Sequence, residues 1–194
     1  MDPLEQEEFY NLKANDFQGN EVEFSYFRGS PLLIANVAST CGLAKNNYES
    51  FADLFVMYYK KGLRVLLFPC SQYLGQEYED LSKIYEFISR FSDKFILFDK
   101  VAVFGKDIHP VFAHLVKYSS GFCGSFIKWN FTKFLINEDG IIIKRYGPNE
   151  LVTCGDKYMT KLFKNAEVDM NNNVVEQKYT HNPYECSDSD SEVL

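Results

Sequence analysis

LLIANVASTCGL, residues 32–43, joins an apolar run to a turn that carries a cysteine. The apolar run Leu32–Val37 reads as a buried strand. Ala38-Ser39-Thr40 leaves that strand, and Cys41 sits on the turn with Gly42 behind it. From Asn46 a helical pattern takes over, with Tyr48, Phe51, Phe55 and Tyr58 on one face. Asn46 followed by Glu49 has the form of a capping box, which predicts a helix starting at Asn46. A cysteine between a buried strand and a helix N-terminus meets unpaired N–H groups and the positive end of the helix dipole. Both favour thiolate over thiol, and the thiolate is the reactive form. Cys41 is therefore the candidate redox nucleophile.

Outward from this stretch, Val22, Phe24 and Tyr26 alternate with polar residues and predict a half-exposed strand. Residues 1–20 read as an irregular lead-in. The first helix should stop at Lys60-Lys61-Gly62, with cations in its last turn and glycine as the stop. Leu63–Phe68 reads as a second buried strand and Asp80–Phe91 as an amphipathic helix. Phe95–Phe104 reads as extended chain and His109–Val116 as helical. Phe131–Asn137 and Ile141–Tyr146 flank Glu138-Asp139-Gly140, a hairpin signal. A last helix is expected over Glu150–Phe163. This order gives a βαβ unit followed by a hairpin. It is the plan of an α/β, thioredoxin-like three-layer sandwich with a central mixed sheet.

Composition narrows the function. The 194 residues are enough for one domain, residues 1–164, with a sizeable core. Hydrophobic residues make up 46%, with 18 Phe and 13 Tyr. The net charge of −7 disfavours nucleic acid as a partner. Residues 165–194 carry seven acids and one lysine, which leaves the body near neutral and predicts an acidic, flexible C-terminal tail. No apolar run approaches the roughly 18–20 residues of a membrane span, and the acidic start does not read as a signal peptide. The five cysteines (Cys41, Cys70, Cys123, Cys154, Cys186) include no CxxC, so neither a metal site nor a disulfide framework is expected. A reducing cytoplasm is the expected compartment.

Two more segments carry polar donors to the predicted sheet edge. FPCSQYLGQE (residues 68–77) follows the second strand and brings Gln76; parallel neighbouring strands end on one edge, so it should lie near Cys41. IKWNF (residues 127–131) opens the later strand with Trp129 and Asn130. An amide and an indole are the neutral donors that a thiolate or a peroxide oxygen needs.

NVASTCGL, FPCSQYLGQE and WNFTKFL together resemble the glutathione peroxidase family in its cysteine form, over roughly residues 8–164. The resemblance implies a catalytic tetrad of Cys41, Gln76, Trp129 and Asn130. It implies reduction of hydrogen peroxide and organic or lipid hydroperoxides through a sulfenic acid, with glutathione or a thioredoxin-type protein as reductant and no bound cofactor. Thioredoxin-dependent members carry a resolving cysteine where this chain has Ile88. Cys123, Cys154 and Cys186 are then the internal candidates, and an external thiol is the other. The short segment between Phe104 and Trp129 resembles the monomeric, phospholipid-hydroperoxide type, which would meet its substrate at membrane surfaces. The other reading is a redox sensor or relay that passes oxidation from Cys41 to a partner protein.

Overall fold

The computed structural model describes residues 3–123 and 126–170. In chain order the elements are α1 (Pro3–Tyr10), β1 (Lys13–Asn15), β2 (Glu21–Glu23), β3 (Leu32–Val37), α2 (Ala44–Tyr58), β4 (Arg64–Pro69) and α3 (Leu81–Ser89). They continue with β5 (Ile96–Leu97), α4 (Pro110–Cys123), β6 (Lys133–Ile136), β7 (Ile142–Tyr146) and α5 (Lys157–Met170). The main sheet has the order β5-β4-β3-β6-β7; β1 and β2 form a separate two-stranded ribbon. β3 runs parallel to β4, which runs parallel to β5, whereas β6 is antiparallel to both β3 and β7. The sheet is mixed and thioredoxin-like.

All six residues of β3 are buried because both faces of the strand are covered. Strand alternation sends Leu33, Ala35 and Val37 into one layer with α2, α3 and α5 residues such as Phe51, Ile84 and Phe163. Leu32 and Ile34 enter the opposite layer with Phe9 and Tyr10 of α1 and Phe112 of α4. Local chemistry fixes the ends of the elements. Gly62 closes the 3₁₀ turn after α2 at φ 96°. The Asp80 side chain accepts from the Ser82 N–H at 2.8 Å to start α3.

Several expectations from the sequence are corrected. The lead-in is not irregular: it holds α1 and β1, and the turn of α1 that ends at Phe9 and Tyr10 plugs the second layer. Phe9 and Tyr10 are adjacent, so the pair shows no helical periodicity to announce a helix. The alternation at Val22, Phe24 and Tyr26 is a strand only through Glu23; Phe24–Phe27 turns as a 3₁₀ helix that buries Phe24 and Phe27, three residues apart. α2 starts at Ala44 rather than Asn46, because the Cys41 carbonyl already accepts from the Ala44 N–H at 2.9 Å. No side chain caps it, so the capping box is absent; Glu49 instead meets Lys45 at 3.8 Å. Only Ile96–Leu97 of the extended stretch pairs as a strand. The last helix starts at Lys157, where Asp156 Oδ1 accepts from the Tyr158 and Met159 N–H groups at 2.8 and 3.1 Å. It continues to Met170, past position 164. Residues 171–194, including Cys186, lie outside the described residues, as does the side chain of Cys123.

Candidate active site

Three separated segments meet at one edge of the sheet, and strand direction is the reason. β3 and β4 are parallel and pair Val37 with Pro69 at their last positions, so the turns that follow leave the same edge. β6 runs the other way and pairs Lys133 with Ala35, so the residues just before it, Trp129–Thr132, arrive at that edge too.

Cys41 lies on the first of these turns. Its N–H donates to the Ala38 carbonyl at 3.2 Å, and it is 6% exposed, at the end of the layer that holds α2. The neighbouring Thr40 and Gly42 are exposed. This turn is tied to the loop after β4 by three hydrogen bonds. The Thr40 N–H and hydroxyl both donate to the Gln76 carbonyl, at 3.0 and 2.8 Å. The Ser39 N–H donates to Glu77 Oε1 at 3.0 Å, and the Tyr78 N–H shares that oxygen at 2.9 Å. Within the loop Leu74 and Gly75 take left-handed conformations, φ 56° and 62°, which turn the chain back so that Gln76 lies beside Thr40.

The third segment contributes Trp129 and Asn130. Asn130 is fully buried, and its Nδ2 donates to Gln76 Oε1 at 3.3 Å. That contact joins residues 54 positions apart and leaves the Gln76 amide N–H groups and the Trp129 indole N–H as further donors. The half-buried Trp129 ring packs on Tyr73 with centroids 5.3 Å apart. Phe131, next in the chain, is fully buried at φ 62°. A bulky side chain in that region costs about 1–3 kcal/mol, and such strain concentrates at functional sites.

The surroundings are polar within an otherwise apolar layer. Ser39 Oγ, the Tyr48 hydroxyl, Glu77 Oε2 and Asn130 Oδ1 are buried without a hydrogen-bond partner. Buried polar atoms are rarely left so except where a site uses them. Burial pushes the Glu77 carboxyl up and raises the Tyr48 phenol well above its ordinary value, the charges of Glu77 and Cys41 adding to the effect on Tyr48. Tyr48 stacks on Phe91 of the turn after α3 at 5.1 Å and meets Phe131 edge-on at 5.5 Å, so it bridges α2 to the third segment. Among the described residues no group of three or more His, Cys, Asp and Glu could hold a metal ion. Among the described residues no helix is long and apolar enough to cross a membrane.

A profile of the family described as glutathione peroxidase matches residues 9–116. A probable phospholipid hydroperoxide glutathione peroxidase of Encephalitozoon cuniculi (strain GB-M1) is 49% identical over 172 residues, 87% of this chain and 97% of that protein. The chain belongs to the glutathione peroxidase family. Like other glutathione peroxidases it is a thiol peroxidase, an oxidoreductase that reduces hydroperoxides at the expense of a thiol. The solved structure of T. cruzi GPX1 is 31% identical, with a TM-score of 0.64, covering 82% of this chain and 96% of that one. A thiol:disulfide interchange protein of the thioredoxin family from Chlorobium tepidum TLS shares the fold at 12% identity and a TM-score of 0.55, covering 80% and 92%.

The remaining described cysteines of this glutathione peroxidase are held away from Cys41. Cys70 is fully buried in the opposite layer, across the sheet, and burial pushes its thiol up. Cys154 donates its S–H to the Asp53 carbonyl at 3.6 Å, and its own carbonyl accepts from the Tyr58 hydroxyl at 2.9 Å. Asp53 lies nine residues into α2, about 14 Å along the axis from the helix start. A disulfide needs Cα atoms within about 7 Å, so Cys154 does not reach Cys41 in this fold. Three further buried polar residues lie near the site beyond the four that the sequence points to: Asn36, Glu77 and Lys133. Their signal was a polar residue inside an apolar strand pattern, or, for Glu77, an acid at the end of a loop motif.

Proposed function

We propose that the peroxidase reaction runs at Cys41, with Gln76, Trp129 and Asn130 as the donors around it. The Cys41 thiolate attacks the distal oxygen of ROOH. The S–O bond forms, the O–O bond breaks, and the alkoxide leaves and takes a proton as ROH, giving Cys41 sulfenic acid. Sulfur is oxidised by two electrons and the peroxide is reduced by two. A thiol R′SH then condenses with the sulfenic acid, water leaves, and a mixed disulfide forms. A second thiol attacks that disulfide, releases R′SSR′ and restores Cys41. Neutral N–H donors serve the step where negative charge moves from sulfur to the departing oxygen. The Asn130–Gln76 contact carries this reading, since it joins two of the three segments at the edge to which Thr40 ties the Cys41 turn.

The reductant we favour is an external thiol, glutathione or a thioredoxin-type protein, because neither Cys70 nor Cys154 is placed to resolve the sulfenic acid. Among peroxides we favour bulky apolar ones, lipid hydroperoxides included. Leu74 and Phe126, 79% and 56% exposed, flank the segments that carry Gln76 and Trp129, and Phe104 packs on Tyr73 beside them. We read the chain as a cytoplasmic monomer that works without a bound cofactor. The test is single-turnover oxidation of the fully reduced protein by hydrogen peroxide and by a phospholipid hydroperoxide, with trapping of the sulfenic acid and mass spectrometry. Addition of one oxygen at Cys41, and no turnover in Cys41→Ser with either thiol system, is expected. Retained turnover in Cys41→Ser refutes the proposal.

A further inference from the structure

Asn36 is a polar side chain inside a strand that is otherwise apolar, and it is fully buried. Every hydrogen-bonding group it aims toward β6 is used on one turn of chain. Its Nδ2 donates to the Trp129 carbonyl at 3.3 Å, and its Oδ1 accepts from the Thr132 N–H at 3.1 Å. Its main-chain carbonyl accepts from the Phe131 N–H at 2.7 Å. The regular β3–β6 ladder stops one residue earlier, at Ala35 and Lys133. Past that point the side chain of Asn36 replaces the ladder and grips two of the four residues 129–132, Trp129 and Thr132, while its main-chain carbonyl holds a third, Phe131. The segment needs such a grip, because Phe131 sits at φ 62°, which a bulky L-residue does not hold unaided. Thr132 adds one contact of its own, its hydroxyl donating to the same Trp129 carbonyl at 3.1 Å.

We propose that Asn36 is a positioning residue for peroxide reduction: it clamps the 129–132 turn so that the Trp129 indole and the Asn130 amide stay in register with Gln76. This rests on the reading of Cys41, Gln76, Trp129 and Asn130 given above. Asn36 touches none of the reacting atoms and acts through the main chain of the turn. An amide is the side chain that suits the task, since one end donates to a carbonyl while the other accepts from an N–H.

The chain has a single tryptophan, so its fluorescence reports Trp129 alone. The variant is Asn36→Ala, compared with wild type well below both unfolding midpoints. Three quantities are read: Trp129 emission, the second-order rate of Cys41 oxidation by hydrogen peroxide, and the rate of Cys41 alkylation by iodoacetamide. Alkylation needs the thiolate but not the peroxide donors. The expected result is a shifted emission, a peroxide rate lowered about 10- to 100-fold, and an alkylation rate within about threefold of wild type. Asn36→Thr removes the same reach to Trp129 and Thr132 while leaving less empty volume and suiting a strand, so it should show the same changes; it is the variant to read if Asn36→Ala does not fold. A folded variant with wild-type emission and a wild-type peroxide rate overturns the inference. Trp129→Phe and Asn130→Ala run alongside. If these also leave the peroxide rate unchanged, the site reading itself fails; if they slow it and the Asn36 variants do not, only the clamp is wrong.

Discussion

Lys133→Met probes what holds the start of α2 in place. Lys133 is fully buried on β6. Its Nζ donates to Gly147 O at 2.8 Å, Asn47 Oδ1 at 3.1 Å and Pro148 O at 3.3 Å. Asn47 in turn donates to the Leu43 carbonyl at 2.9 Å, so the lysine is linked to the residue just before α2 and hence to the Cys41 turn. Methionine matches the stem and fills the volume, but it strands three acceptors. An unsatisfied buried group costs about 1–3 kcal/mol. Release from holding a desolvated cation offsets part of the sum. The net loss expected is about 2–4 kcal/mol at pH 7, read by urea denaturation with Trp129 fluorescence.

The pH dependence makes the test sharper. Burial pushes the Lys133 ammonium down to about 7, and the charge of Glu150 only partly opposes this. A base depressed in the folded state contributes stability that is complete above its unfolded value of 10.5 and is lost as pH falls through about 7. Between pH 7 and pH 9 the wild type should therefore gain about 2 kcal/mol from this group. The methionine variant lacks the gain, so the stability gap between the two proteins should widen by that amount. Other groups titrating in this range are common to both and cancel. A gap equal at the two pH values, or a variant as stable as wild type at pH 7, refutes the argument.

Gln76→Ala and Asn130→Ala should each slow Cys41 oxidation on the order of 10²-fold. The double variant should lose less than the product, because the two side chains share a hydrogen bond, as a stopped-flow cycle would show. Glu77→Gln keeps the acceptor for the Ser39 and Tyr78 N–H groups and removes the charge. Burial raises the folded-state carboxyl above its unfolded value, so its contribution to stability is present at acid pH and lost as pH rises. The variant should gain on wild type between pH 5 and pH 7 in thermal melts. Gly140→Ala places a Cβ 2.8 Å from a Phe9 ring carbon at φ 80°, which should cost about 1–3 kcal/mol of stability with no change in peroxide rate. Cys154→Ser should leave turnover with an external thiol unchanged, since the sulfur packs against the middle of α2.

The fold was legible where one signal dominated. β3 is apolar except for Asn36, and its sequence predicts Leu32–Val37 to the residue. The Asp-Gly turn with Asn137 before it leaves little besides a hairpin: Asn137 Oδ1 accepts from the Asp139 and Ile141 N–H groups. Legibility failed where tertiary contacts override local pattern. α1 exists because Phe9 and Tyr10 have a layer to fill, and nothing in its eight residues, half of them polar, says so. The sequence pattern starts α5 seven residues early, at Glu150, although Asp156 is an ordinary N-cap. The loop before it is held instead by distant contacts, such as the Ser50 hydroxyl on the Val152 carbonyl.

The candidate site divides along the same line. Cys41, Gln76, Trp129 and Asn130 stand in short segments, and strand direction alone carries those segments to one edge. Their supports were not legible, because each looks like a flaw in a pattern when read in one dimension. Asn36 interrupts an apolar strand, Lys133 puts a cation into a buried one, and Glu77 buries a carboxylate. In three dimensions each one is held by main-chain groups of another segment: Asn36 by residues 129–132, Lys133 by Gly147 and Pro148, Glu77 through its Oε1 by the Ser39 N–H. A buried polar side chain is tolerated only when its partners are fixed. These three therefore tie loops to the sheet more rigidly than apolar packing would, and a peroxide site needs that rigidity if its donors are to meet an oxygen whose charge lasts only through the transition state.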